Sequence, residues 1–489
     1  MKLVKRIFLI LGLALVILIA LVLFKTFTFT SNQITGKAIT PIQVRDSATV
    51  NFSNALKIKT ISPENTADFD SIQFNSFASF LSKTYPLADS LLNKKIFNSY
   101  SFLYHWKGNN DNKKPIILMG HLDVVPVIEA NLPDWKMDPF GGEIKNDTIW
   151  GRGTIDDKIG VIGILEAVEQ LLKEGYTPSR DIYLAFGHDE EIGGEQGAIA
   201  IASYLKSKGV QAEYVLDEGG TIVQGMIPGI TKDAALIGIA EKGFVTLDLS
   251  VKIEGGHSSM PEKETPIDVL ATAISKLKQH PFPAKISKPL EGFIESLGPE
   301  MPFVNKMAFA NASLFEPLIL NIYESSNSGN ALVRTTTAPT IFNSGVKENI
   351  IPLSANAKVN FRILPESTVE DVIAHVKKVI DDDRIVIKTG NFNSEPSKVS
   401  STDSFGFTTI HKTIAEVYPE VLVSPYLVVG ATDARFYGEV SDDIYRFSGI
   451  KINKNNVKSF HGLNERVAVK DYHDAIRFYS QLIKNSTGE

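Results

Sequence analysis

Apolar residues fall along this chain in three patterns, and each predicts a different element. The first is a run without a charge, Ile7 to Phe24, with Lys2, Lys5 and Arg6 before it and Lys25 after it. A helix of that length reaches across a bilayer, and it is too long to sit comfortably as the apolar core of a signal peptide. The second pattern is a set of short apolar runs rich in β-formers, at 114–119, 182–186 and 213–216. Such runs, bounded by glycine and turn residues, read as buried strands. The third is alternation, over Glu241 to Val251 and again near Ala357 to Leu364, which marks strands with one face buried. Helical spacing fills much of the remainder. Ile159, Ile162, Leu165 and Val168 share one face of a helix that opens just after Asp156. Further helices are predicted over roughly 195–208, 265–279 and 368–380, and residues 45–105 read as helices with loops.

Strands followed by helices make the chain α/β. The stretch between about 242 and 393 has its own strands and helices and lacks the acidic strand ends found elsewhere. It reads as an α+β domain inserted into a larger one, whose two parts are 45–241 and 394–489. Residues 283–345 are longer than such an insert needs, and the apolar content of 299–325 suits them to bind or screen an apolar part of a substrate. Residues 1–30 form a cytoplasmic stub and transmembrane anchor, and 31–44 a polar linker. The basic residues precede the apolar run, which places the amino terminus in the cytoplasm and the rest of the chain beyond the membrane, in a periplasmic, lumenal or extracellular space. No small-residue cleavage site follows, so an uncleaved anchor is preferred over a cleaved signal peptide.

Composition narrows the chemistry. The 489 residues include no cysteine, so a metal would be held by His, Asp and Glu alone. A formal net charge of -6 and the lack of a basic stripe give no footing for nucleic acid.

The candidate chemistry sits where the short strands end. The run at 114–119 leads into Gly120-His121-Leu-Asp123, that at 182–186 into Gly187-His-Asp189-Glu190-Glu191, and that at 213–216 into Asp217-Glu218-Gly-Gly220. Ligand sites in open α/β sheets lie beyond the carboxyl ends of strands. Clustered acids repel one another there unless a cation neutralises them. His121 has a carboxylate two residues on, the arrangement in which one ring nitrogen binds a metal and the other is fixed by its neighbour. Asp156 stands in Gly151-Arg-Gly-Thr-Ile-Asp156-Asp157-Lys, which lacks the endings of a phosphate-binding or dinucleotide loop. His461 closes the series in Phe460-His461-Gly-Leu-Asn-Glu465. Two histidines with several carboxylates suit zinc or a comparable divalent ion, cobalt and manganese included.

Taken together, five separated motifs resemble the M20 family of co-catalytic zinc metallopeptidases and amidohydrolases: Gly-His-Leu-Asp-Val-Val-Pro, Gly-Arg-Gly-x-x-Asp-x-Lys, Gly-His-Asp-Glu-Glu, Asp-Glu-Gly-Gly and Phe-His-Gly-x-Asn-Glu. The stretches 331–340, 346–352 and 430–436 are most similar to the branch of carboxypeptidase S and the N-fatty-acyl-amino-acid synthase/hydrolases. The resemblance implies a zinc-dependent exopeptidase-like catalytic domain, a mixed central sheet flanked by helices, with an inserted lid or dimerisation domain. It implies two zinc ions per subunit. His121 and Asp217 (or its neighbour Glu218) would hold one, Glu191 and His461 the other, and Asp156 both. Asp123 would orient His121, Glu190 would be the general base, and Asp157 would cap or brace its loop. His257, from the insert, would complete a neighbouring subunit's site in a homodimer. Arg362 would hold a substrate carboxylate, with Asn349 and Gly430 as further contacts, and Thr432, Asp433 and Arg435 would brace the Gly430 loop.

The function expected is hydrolysis of an amide next to a free carboxylate, in a small peptide or an N-acyl amino acid. The alternatives are a catalytically inactive binding protein of the same fold and a dinuclear phosphoesterase.

Overall fold

A computed structural model describes residues 1–34, 39, 40 and 42–488 of the chain. The linker expected at 31–44 therefore lies partly outside the described residues. The central element is a ten-stranded mixed sheet. At its heart Ile116–His121 pairs in parallel with Ile182–Gly187 on one side and Tyr214–Asp217 on the other. Parallel neighbours need a crossover, and here it is helical. Lys158–Lys173 and Ala198–Ser207 supply it. The first of these is buried on almost every side, between the sheet and the last helix, Val469–Thr487. That burial explains why its sequence is apolar beyond the single face that periodicity picks out.

One edge of the sheet differs from expectation. Residues 93–106, read as helix and loop, form the hairpin Asn93–Phe97 and Ser101–Trp106. Asn98 and Ser99 both take positive φ, at 44° and 72°, the turn that a tight hairpin needs. The second strand is aromatic and almost wholly buried against Ile182–Gly187. Aromatic β-formers in Ser101-Phe-Leu-Tyr-His-Trp carried that signal.

At Lys242 the chain leaves the sheet. Ala234–Glu241 belongs to the large sheet and Gly243–Lys252 to a separate antiparallel one, completed by Thr336–Ser344, Ser354–Ile363 and Ile385–Ser394. Burial alternates strictly along Gly243–Val251, and the apolar face packs on Pro266–Gln279 and Val369–Ile380. Both helices open with a Thr–Asp capping box. The outgoing and returning legs run side by side. Ser397 N donates to Glu241 O at 3.2 Å, and Glu241 N to Ser397 Oγ at 2.8 Å.

The range 242–393 encloses a second body. Helices Lys288–Leu297, Phe303–Ala310, Ala312–Glu324 and Asn327–Val333 do not pack in the insert's core. Leu290, Phe293, Leu297, Met301, Ile319 and Val333 close instead on Ala234, Leu236 and Leu422 of the large sheet. Of the apolar side chains in 299–325, Met301 and Ile319 are buried in this core and Phe309, Leu320 and Tyr323 pack against it, whereas Phe303, Val304, Leu314, Leu318 and Ile322 are exposed. The amino-terminal helix, Lys2–Thr28, stands outside the folded body and touches it only at its carboxyl end, where Thr26 is buried.

Candidate metal centre

Three adjacent parallel strands deliver His121, the 188–191 loop and the 217–218 pair to one end of the sheet. Two further loops meet them there, brought together by a small sheet. Thr148–Trp150 pairs with Arg466–Ala468, so the loop after Trp150 and the loop before Arg466 lie side by side. Glu465 joins them. It is fully buried, and its Oε1 accepts from Gly153 N at 3.1 Å, Ile155 N at 2.7 Å and Asp156 N at 3.3 Å. Its Oε2 pairs with Arg152 at 2.6 Å, and Arg152 reaches on to Gly462 O at 3.0 Å. Neither Glu465 nor Arg152 stood out as functional in the sequence. Their only signal was membership of the two motifs, since nothing in the sequence pairs residues this far apart.

Held this way, Asp156 faces both histidines. Its Oδ1 is 2.9 Å from His121 Nε2 and its Oδ2 2.9 Å from His461 Nε2. The other nitrogen of His121 is occupied, at 3.0 Å from Asp123 O and 3.3 Å from Asp123 Oδ1. The Asp123 carboxylate also accepts from Glu190 N and Glu191 N, each at 3.2 Å, and so ties the His121 strand to the acidic loop. His461 sits at φ 51°, a left-handed conformation that costs a non-glycine residue energy and recurs at functional sites. Its Nε2 is 3.3 Å from Glu191 Oε2. Two overlapping groups result: His121, Asp156 and Glu218, and Asp156, Glu191 and His461.

The acid that joins His121 is Glu218, with Oε1 3.9 Å from His121 Nε2. Asp217, the preferred member of the pair in the sequence, is turned aside. Its carboxylate accepts from Ala434 N at 2.9 Å and secures the 432–437 turn. Successive residues at a strand end point to opposite faces, so only one of the two can enter the cluster. The 188–191 loop divides in the same way. His188 pairs with Ser101 Oγ at 2.6 Å, and Asp189 accepts from Gln196 N and Gly197 N, while Glu190 and Glu191 border the cluster. Of the two roles expected of Asp157, capping or bracing its loop, side-chain capping is not made. Asp157 is buried, neither carboxylate oxygen has a hydrogen-bond partner among the described residues, and helix Lys158–Lys173 has no side-chain cap. A Cβ at Gly120 or Gly160 would stand 2.8 or 2.6 Å from that carboxylate, so both glycines make its room.

The donor set fits divalent cations. Burial lifts Glu190, Glu191 and Glu218 above the ordinary carboxylate range, and neighbouring acids add to it. Glu191 Oε1 is buried without a partner. Burial also acts against ionised Asp156, but hydrogen bonds from His121 and His461 outweigh it and hold Asp156 below that range. Hydrogen bonds to Asp156 and Glu191 push His461 up to about 10. Each histidine therefore turns a nitrogen toward the shared, ionised Asp156 carboxylate, an environment in which hard and borderline cations bind.

The remaining candidates lie around this centre. Arg362, near the end of Ser354–Ile363, pairs with Phe244 close to the crossing into the insert, with its guanidinium 4.8 Å over that ring. Among the described residues no carboxylate pairs with it, and burial together with Arg435 pulls its pKa down. Thr432 braces the Gly430 loop, donating to the buried Glu241 at 2.6 Å, and Glu241 also accepts from Arg446 at 3.0 Å. Gly430 is exposed at the loop's start. Arg435 bonds back to Thr432 O at 3.0 Å, whereas Asp433 is buried with both oxygens unpartnered. His257 and Asn349 lie together on an exposed ribbon of the insert, where Ser258 N donates to Asn349 O at 3.3 Å. No hydrogen bond links either to the metal centre among the described residues.

Glu465→Ala should unseat Asp156. Removing one partner of a buried ion pair typically costs about 3–5 kcal/mol, and three backbone donors would lose their acceptor as well. Thermal unfolding and metal titration together check this. A variant with unchanged metal affinity would show that the loop holds Asp156 without Glu465.

Comparison with known proteins agrees with the geometry. Residues 117–485 match the model of Peptidase family M20/M25/M40. The chain is 41% identical to a probable carboxypeptidase S-like protein of Dictyostelium discoideum, over 96% of this chain and 92% of that one. It is 40% identical to an N-fatty-acyl-amino acid synthase/hydrolase of Xenopus tropicalis, over 96% and 93%. Among solved structures, an M20 family metallo-carboxypeptidase of Sulfolobus solfataricus superposes with a TM-score of 0.68 at 20% identity, covering 91% of this chain and 100% of that one. The match over most of the chain, with the fold and the clustered His and carboxylate residues behind it, places this protein in peptidase family M20/M25/M40.

Proposed function

We propose that this protein is a membrane-anchored dizinc hydrolase that cleaves an amide bond adjacent to a free carboxylate, in a peptide or an N-acyl amino acid. The observation that carries the reading is Asp156 shared between two ligand groups, with the unengaged Glu190 beside them. His121, Asp156 and Glu218 would hold one ion, and Asp156, Glu191 and His461 the other. When bound, the ions supply Lewis acidity toward the substrate carbonyl and make water a better nucleophile. Glu190 takes the proton from that water and returns it to the leaving amide nitrogen. Arg362, a planar fork of donors without a protein carboxylate, receives the substrate's carboxylate. His257 polarises the carbonyl of a neighbouring subunit's substrate, with Asn349 and Gly430 as further contacts. An apolar surface near that ribbon, including Met260, Ile350 and Leu353, supports a homodimer through the insert.

The names of the relatives support the two substrate classes. The Lys2–Thr28 helix supports the anchor, and so does its attachment. Gln33 donates to Val423 O at 2.9 Å and to Ser296 O at 3.2 Å, contacts that cleavage before it would leave without the helix they continue.

The test compares free-acid substrates with their methyl esters. The native enzyme should favour the free acid, and Arg362→Ala should lose that preference by the equivalent of about 2–5 kcal/mol, the usual cost of truncating one partner of a buried charge pair. Metal content should not change. Equal turnover of acid and ester by the native protein would refute the substrate class. Bound metal without turnover of any amide would favour a binding protein, and cleavage of phosphoesters instead would favour a phosphoesterase.

A further inference from the structure

The helices Phe303–Ala310 and Ala312–Glu324 turn apolar side chains outward. Leu314, Leu318 and Ile322 recur every fourth residue along one face, and they are 50%, 53% and 60% exposed. The preceding helix, packed against it, exposes Phe303 and Val304. This is not a core left unfilled. The opposite side of Ala312–Glu324 sends Ile319, Leu320 and Tyr323 into a core with the large sheet. A helix that faces water carries polar residues outward, and this one is apolar on both sides. Contiguous apolar surface of this kind marks a docking site.

The same helices hold the end of the amino-terminal helix. Asn311, buried at their junction, donates to Val22 O at 3.2 Å and to Thr26 Oγ1 at 3.4 Å. Phe27 and Phe303 meet with ring centres 5.9 Å apart, and Phe29 lies against Gly298, where a Cβ would come within 2.6 Å of its ring. Val22 lies inside the uncharged run that ends at Phe24, about 3 Å short of its end along the axis. If that run spans the hydrocarbon, the junction stands where acyl chains meet headgroups.

We infer that this helix pair is a lipid-embedded platform: Phe303, Val304, Leu314, Leu318 and Ile322 lie in the interface of the bilayer that the amino-terminal helix crosses. The inference rests on the anchor reading above. Helices with such a face bury it about 5–10 Å into the headgroup and acyl boundary. The platform fixes the folded body against the membrane instead of leaving it on a tether, and it holds the large sheet's edge beside the lipid.

The chain has no cysteine, so single labels can be placed without background. The full-length protein, carrying Val304→Cys or Leu318→Cys labelled with an environment-sensitive fluorophore, is reconstituted in phosphatidylcholine vesicles. Lipids spin-labelled near the carbonyl depth serve as quenchers for the interface, and lipids spin-labelled near the acyl-chain end serve for the bilayer centre, where Leu15 would lie. Leu15→Cys reports the anchor, and Ile72→Cys, an exposed apolar site on the catalytic domain, reports water. Labels at 304 and 318 should be quenched several-fold more than at 72. Quenching at 15 with none at 304 and 318 overturns the platform and leaves the anchor standing. Blue-shifted but unquenched labels at 304 and 318 also overturn it, because the face is then covered by protein, either a second copy or another partner. No quenching at 15 removes the anchor and the platform together.

Discussion

Glu190→Gln should lower kcat by about 10²–10⁴-fold, the range for a lost general base, with bound metal retained. The glutamine keeps the size of the side chain and its hydrogen-bonding capacity but cannot accept a proton from water. Glu190 is the right residue to lose because no hydrogen bond or ion pair engages its carboxylate among the described residues, and burial raises its affinity for a proton. Its neighbour should behave in the opposite way. Glu191 sits 3.3 Å from His461 within a ligand group, and Glu191→Ala removes charge that balances a cation. Metal content and stability should fall together. An ion present at 100 times its Kd adds about 2.7 kcal/mol to the folded state, and that increment would shrink. Metal quantification and single-substrate kinetics on both variants decide the matter. Loss of metal from Glu190→Gln with retention in Glu191→Ala would reverse the two roles.

The second large effect is expected at the next strand. Glu218→Ala should weaken metal binding by more than the ~10–100-fold typical of losing a group that only orients a ligand. Asp217→Asn should leave metal binding near native and instead loosen the 432–437 turn, because the Asp217 carboxylate serves Ala434 N. Isothermal titration with zinc, alongside thermal unfolding, separates the two. Native-like zinc binding in Glu218→Ala, with loss in Asp217→Asn, would restore the sequence's first choice.

That pair marks where the sequence stops being readable. An apolar run entering ligand-type residues identifies a strand end, and it did so before His121, Glu190–Glu191 and Asp217–Glu218. The direction of each side chain depends on the pleat at the last residue, which composition does not carry. The one-sided strand Gly243–Lys252 was legible from its alternation, since one of its faces is buried and the other is not. The four helices at 288–333 were not assigned to the large sheet, because an amphipathic helix announces that it has an apolar face and not which surface covers it. Glu465 was missed for a related reason. Its partners, Arg152 and the 153–156 backbone, are remote in sequence, and a glutamate that stabilises a loop looks the same as one in water.

The side-by-side crossing at Glu241–Gly243 and Ser397 has a mechanical meaning. Any rotation about this crossing has a short arm to Arg362 and a long arm to His257. Arg362 pairs with Phe244, next to the pivot, while the ribbon bearing His257 lies beyond the far end of a strand about 30 Å long by its rise per residue. A turn of roughly 10° then carries the tip about 5 Å and Arg362 well under 1 Å, taking a strand rise of about 3.4 Å per residue. Displacement about the crossing is thus small at Arg362 and large at His257.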